Sequence, residues 1–225
     1  MGIFSIIGVK KFNFIEIGVQ DSIECNSTNL LLNLNWSGAQ FEGCKESYED
    51  GKRFFKKKGV KKNQCQLINK FVNAENVNSL IKKTGIKGEI DFFSLDIDGN
   101  DYWVWKSISI IKPRLVVLEY NASFGEKSSL TIPYNSKFVW DNKDEKRFFY
   151  GASLKALKKI SKKKGYNLVC VDSKGINAFF VRKDLVKNTV LKKIKTENLF
   201  VYNKEHNAKL NDIKKIVKKY NLVNV

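Results

Sequence analysis

The sequence predicts an α/β fold built on a mostly parallel sheet of seven strands, with helices on both faces and an antiparallel hairpin at its end. Three observations carry that prediction. Short apolar runs alternate with stretches of helical spacing from residue 13 to about residue 182. Such alternation is the pattern of consecutive β-α units, whose right-handed crossovers leave parallel neighbours. Residues 90–97 (IDFFSLDI) run apolar with little alternation, as a strand buried on both faces does. Last, two strands at residues 166–171 and 176–182 are separated only by Asp172-Ser173-Lys174-Gly175, which is too short for a crossover and suits a hairpin.

The elements follow in order. The first strand covers residues 14–19 (FIEIGV), and Leu30, Leu31, Leu32 and Leu34 mark the helix after it. Residues 39–43 (AQFEG) form the second strand and residues 48–57 a charged helix. The third strand covers residues 65–72 (CQLINKFV); Val77, Leu80 and Ile81 then recur at helical spacing, with Gly85 as the C-terminal cap. Asp101 caps a helix carrying Trp103, Val104 and Ile108, which Pro113 blocks, and residues 115–120 (LVVLEY) are the fifth strand. Ser153 caps a further helix through Leu154, Leu157 and Ile160 that Gly165 ends. A parallel sheet closed by a hairpin is the layout of the Rossmann-like class I methyltransferase fold; an ordinary dinucleotide dehydrogenase lacks it.

Residues 1–185 are expected to form this domain. Within it, residues 122–151 are irregular and rich in aromatics (Phe124, Tyr134, Phe138, Trp140, Phe148, Phe149, Tyr150), as a lid or substrate loop is. Residues 186–225 alternate lysines with apolar residues such as Ile213, Ile216 and Val217, which predicts a helical appendage.

Composition narrows the function classes. With 43% hydrophobic and 12% aromatic residues, the chain is expected to fold rather than stay disordered. No apolar run reaches the roughly 18 residues of a membrane span. The opening MGIFSIIGV lacks the basic leader and cleavage site of a secretory signal, and Ile6 breaks the myristoylation pattern. A soluble, cytoplasmic protein is expected. Four scattered cysteines, Cys25, Cys44, Cys65 and Cys170, argue against a zinc site or disulfide framework and for free thiols. The single histidine, His206, sits in the lysine-rich tail, which argues against His-based catalysis. The net charge of +18 suggests nucleic acid, yet 37 of the 41 basic residues are lysine, whereas specific nucleic-acid contacts favour arginine.

The residues that carry chemistry fall at the carboxyl ends of the strands, where open α/β sheets bind ligands. Glu16-x-Gly18-Val19-x-Asp21 ends the first strand and leads to Glu24-Cys25-Asn26-Ser27-Thr28 at the next helix. Gly18 permits a close backbone approach, and the unpaired N–H groups of that helix start suit a methionyl carboxylate. Glu42, 24 positions after Gly18, ends the second strand beside Gly43, where a carboxylate accepts both ribose hydroxyls. Asn73, Ala74 and Glu75, with Asn76, offer polar groups to an adenine edge. Alternation sets Asp96 and Asp98 on one face of the sheet. They can hold the cofactor's amino group, act as a base, or join Glu119 and Asn121 around Mg²⁺. Asp98 is the first candidate for the base and Glu119 the second. The alternative is that Asp98 and Asp101 form only a turn and a helix cap.

Taken together, FIEIGVQD…ECNSTNLLL, FEG, SLDIDGNDYWVWKSI, VVLEYN, YGASLKAL and GINAFFVR resemble uncharacterised bacterial and viral S-adenosylmethionine-dependent methyltransferases. These are similar to the FkbM-type sugar O-methyltransferases associated with surface-polysaccharide gene clusters. The resemblance spans residues 12 to 185, and DIDGNDYWVWK with the following EYN is its most specific part. It implies the fold, S-adenosylmethionine as cofactor, the roles of Gly18 and Glu42, and a small-molecule or glycan acceptor. Ser22 stands where the family has glycine, and Ser27 is an extra residue. A nucleic-acid methyltransferase and a non-catalytic binding module of the same fold are the rival readings.

Overall fold

The computed structural model describes residues 2–203 and 216–225, and its main sheet contains the seven strands read from the sequence. These are β1 (Asn13–Ile17), β2 (Ser37–Glu42), β3 (Cys65–Asn69), β4 (Gly88–Leu95) and β5 (Ile111–Glu119). Beyond a two-residue strand β6 (Leu130–Thr131) come β7 (Tyr166–Val171) and β8 (Asn177–Arg182). Their order is β3-β2-β1-β4-β5-β8-β7, so strand order reverses between β1 and β4. The helices are α1 (Gly2–Ile7), α2 (Thr28–Asn33), α3 (Lys45–Lys58), α4 (Val77–Lys83), α5 (Asp101–Ser107), α6 (Leu154–Lys163) and α7 (Lys183–Val186). No described helix is long and apolar enough to cross a membrane.

The chain divides into two compact units. The first comprises Met1–Asp96 with Ser107–Val116, the second Ile97–Lys106 with Val117–Val225. In the first, β1 lies parallel between β2 and β4, pairing Ile17 with Phe41 on one side and with Leu95 on the other. Phe14, Ile15, Ile17, Ala39, Phe41, Phe93 and Leu95 are buried, which explains their near-continuous apolar runs. The buried Asp91 carboxylate accepts hydrogen bonds from the backbone amides of Lys10, Lys11 and Phe12 (2.8, 2.6 and 2.7 Å), fixing the approach to β1. Helix α1, which the sequence reading did not anticipate, sets Phe4 edge-on against Trp36 with ring centroids 5.1 Å apart.

In the second unit the hairpin is as expected: β7 and β8 are antiparallel, with an irregularity between Leu168 and Cys170. Asp172 closes its turn by accepting from the amides of Lys174, Ile176 and Asn177. Ser153 caps α6, its hydroxyl accepting from the Ala156 amide at 3.2 Å. The irregular stretch carries its own small core, since Phe124, Ile132, Phe148 and Tyr150 are buried.

Three expectations change. The third strand stops at Asn69 rather than at residue 72. The fourth stops at Leu95, so the alternation that placed Asp98 on a sheet face does not reach it; Asp98 sits in a loop at φ +50°. Beyond residue 186 the chain is α-helical only over 216–219 among the described residues, and a strand β9 (Val223–Asn224) pairs antiparallel with β6. His206 and Ile213 lie outside the described residues.

Candidate cofactor and acceptor sites

The loop after β1 turns at Gly18, whose φ of +84° is open to glycine at no steric cost. The Gly18 amide still donates to Phe41 O (2.9 Å), so the parallel ladder reaches the turn. Two non-glycine residues follow in the left-handed region, Gln20 at +49° and Ser22 at +62°. Asp21 stabilises this loop by accepting from the Ile23 amide at 3.0 Å.

Glu42 is the group that ties this loop to β2. Its carboxylate is nearly buried and accepts from the amides of Gln20 and Cys44, each at 2.7 Å. A carboxylate oxygen offers two acceptor positions, so each retains one for a ligand hydroxyl. Beside it, the open edge of Gly43 lies against Phe71, whose ring carbon would stand 3.2 Å from a Cβ placed there. Phe71 is 45% exposed, which leaves its ring open to solvent beside Gly43. Sequence reading placed Phe71 inside the third strand, and its only signal was an aromatic beside the strand's end.

Other predicted residues turn inward. Glu16 is buried, and its two oxygens accept from the amides of Asn26 (2.9 Å) and Ser27 (2.7 Å) at the entry to α2. Burial raises its pKa above the ordinary carboxylate value, and those hydrogen bonds oppose the shift. Glu16 therefore shapes the loop instead of facing a ligand. The Asn26 side chain donates to Ser94 Oγ (3.0 Å), and the Thr28 hydroxyl donates to Ser22 O (2.6 Å), so both brace the same loop. Asn73 and Asn76 exchange reciprocal bonds at the start of α4, each side-chain oxygen accepting the other's amide (2.9 and 3.0 Å). Val19 is buried, Ala74 half-buried and Glu75 exposed. Asp96 is half-buried, its amide donating to Ile17 O at 3.0 Å.

In the second unit, Asp98 and Glu119 bring carboxylate oxygens within 4.8 Å of one another. Two carboxylates suit a hard divalent ion such as Mg²⁺, which commonly takes one or two from a protein and completes its shell with water. Asp98 is flanked by main chain held from Asp101: Asp101 Oδ1 accepts from Ile97 N (3.0 Å) and Oδ2 from Gly99 N (2.9 Å). Burial pushes Asp101 up to about 6, and the Asp98 charge adds to the shift. Asn121 does not match its expected role. It is fully buried, its amide nitrogen donates to Phe148 O (2.8 Å) and Tyr150 O (3.0 Å), and its oxygen accepts from Ser123 N. Its amide organises the 148–150 segment, so it acts through others.

No protein-family model matches the chain, and no curated protein matches it. Solved structures do. An S-adenosylmethionine-dependent methyltransferase from Clostridium acetobutylicum ATCC 824 aligns with a TM-score of 0.50 at 11% identity, over 80% of this chain and 88% of that one. A Staphylococcus aureus protein assigned as a caffeoyl-CoA O-methyltransferase gives 0.50 at 15% identity, over 80% and 79%. The SAH-bound methyltransferase PaMTH1 from Podospora anserina gives 0.51 at 16% identity, over 76% and 72%. The chain has the class I methyltransferase fold. In this methyltransferase sheet Glu42 ends β2 and Gly18 and Asp96 directly follow β1 and β4, so all three lie at the carboxyl ends of first-unit strands, the side on which open α/β sheets take their ligands.

Proposed function

We propose that the chain is an S-adenosylmethionine-dependent methyltransferase that methylates a hydroxyl oxygen of a sugar or surface-polysaccharide precursor in the cytoplasm. Residues 1–185 form the catalytic domain, residues 122–151 serve as its substrate loop, and residues 186–225 are appended to it. The observation that carries the cofactor reading is Glu42, held at the end of β2 by the amides of Gln20 and Cys44 with acceptor positions left for ribose hydroxyls. Gly18 allows the backbone to approach the cofactor, and the exposed ring of Phe71 offers a face to its adenine.

Methyl transfer is an in-line displacement: the acceptor oxygen forms a bond to the methyl carbon while the carbon–sulfur bond breaks, leaving the neutral thioether. The sulfonium already activates the carbon, so the protein mainly orients the acceptor oxygen at about 3 Å. The hydroxyl proton passes to Asp98, with Glu119 as the second candidate. Asp98 and Glu119 are the residues that would hold Mg²⁺, and its charge would lower the pKa of the acceptor hydroxyl there.

The test is incubation of the protein with methyl-labelled S-adenosylmethionine and pooled nucleotide sugars, lipid-linked glycans and RNA. Label in a glycan fraction is the expected result. Label in RNA alone makes it a nucleic-acid methyltransferase, the reading that the +18 charge favours. Binding without any transfer makes it a non-catalytic module.

A further inference from the structure

We infer that Asp101 is a positioning residue that presents the Asp98 carboxylate by gripping the main chain on both sides of it. The inference rests on reading Asp98 as the base. Asp101 has no exposed surface, and its two oxygens accept from the amides of Ile97 and Gly99, the residues immediately before and after Asp98. Between those two anchored amides, Asp98 is held at φ +50°, a left-handed conformation that costs free energy for any residue with a side chain, though less for aspartate than for most.

The outer side of the loop is fixed as well. A Cβ on Gly99 would stand 2.5 Å from Phe138 Cδ1, so only glycine fits under that ring. Gly99 O accepts from Gly151 N (3.1 Å), and Asn100 Nδ2 donates to Asn135 O (2.7 Å). With the outside clamped by residues 135–151, the orientation of Asp98 depends on Asp101 from within. Neither a neutral amide nor an alkyl group can replace it. Asparagine keeps one acceptor and turns a donor toward the second amide, and alanine keeps none.

Two measurements on the full-length protein test this. In the wild type, hydrogen exchange should show the Ile97 and Gly99 amides protected to nearly the level of β4, although both lie in a loop; fast exchange at both overturns the proposal whether or not any variant folds. In Asp101→Asn, exchange at these two amides should rise about ten- to hundred-fold, the scale of one hydrogen bond to a charged group. With the acceptor found in the labelling screen, kcat should fall over a similar range while KM and the dissociation constant of S-adenosylmethionine stay within about two-fold, as removal of a transition-state interaction predicts. An unchanged kcat beside the faster exchange leaves Asp101 as a purely structural cap and overturns the assignment. Full turnover by Asp98→Asn instead removes the reading of Asp98 as base, a failure distinct from loss of the Asp101 grip.

Discussion

The Glu42 carboxylate accepts a 2.7 Å hydrogen bond from the Gln20 amide, so the acidic end of β2 and the glycine turn after β1 are one structure rather than two neighbouring motifs. A change at either residue alters the other. The loop conformation and the position proposed to bind the ribose are therefore coupled.

Ser22 tests the loop itself. It occupies the left-handed region at φ +62°, is buried, and its hydroxyl oxygen has no hydrogen-bond partner among the described residues. Glycine removes the clash of Cβ with the following carbonyl and the buried polar atom together. Ser22→Gly should stabilise the protein by about 1 kcal/mol and raise Tm by about 2–4 °C in a calorimetric scan. A lower Tm would mean that the hydroxyl supports the loop.

Cys44 reports on the same corner. Amides of Ser47 and Glu46 at the start of α3 hold its thiol below the ordinary cysteine value, while burial pushes Cys25 up to about 12 and also raises Cys65 and Cys170. Iodoacetamide should therefore modify Cys44 first, at a rate that rises at lower pH than for the other three thiols. Saturating S-adenosylmethionine should slow the modification several-fold, because Cys44 adjoins Glu42 and Gly43. Mass spectrometry of digests gives both answers; first labelling at Cys170 contradicts the assignment.

The pH dependence of stability should carry the mark of Asp101. Burial raises this carboxyl from 3.8 to about 6 against the two amide hydrogen bonds that favour its ionised form, so ionising it costs more in the fold than in the unfolded chain. Its contribution is complete below about pH 4 and is lost as the pH rises through about 6. Denaturation from pH 4 to pH 7 should show the wild type losing its advantage over Asp101→Asn across that window. A constant difference between the two would show that Asp101 does not titrate there.

In the proposed reaction the acceptor side turns on Asp98 and Glu119. Asp98→Asn should abolish turnover while S-adenosylmethionine binding survives. Removing divalent cations with EDTA separates the two roles of the pair. If it holds Mg²⁺, activity falls and added Mg²⁺ restores it, with Glu119→Gln raising the Mg²⁺ requirement about ten-fold or more. Unchanged activity in EDTA leaves the proton with Asp98 alone.

Much of the fold was legible in the sequence because its signals are local. Apolar runs such as FIEI and IDFFSL need only burial on both faces, and the four residues between β7 and β8 exclude a crossover by length alone. The site was legible as positions more than as partners. Gly18 and Glu42 stand where their spacing put them. Glu16, Asn26, Thr28 and Asn121 have the residue types of ligand contacts, yet their bonds go to backbone and to neighbouring side chains. No spacing rule could show this, since a polar group's partner is set by what the fold buries beside it. Alternation carried Asp98 onto a sheet face because it assumed that the strand continued. The strand ends at Leu95, and Asp98 lies three residues on in a left-handed conformation. Phe71 escaped notice for the converse reason: an aromatic in an apolar run reads as core until the strand is seen to stop two residues earlier.

Calorimetric titration of S-adenosylmethionine into the wild type and into Glu42→Ala tests the central claim most directly. The wild type should bind one equivalent, and Glu42→Ala should bind at least ten-fold more weakly, about 1.4 kcal/mol or more, while remaining folded. No heat of binding in the folded wild type, or equal affinity in the two proteins, contradicts the account.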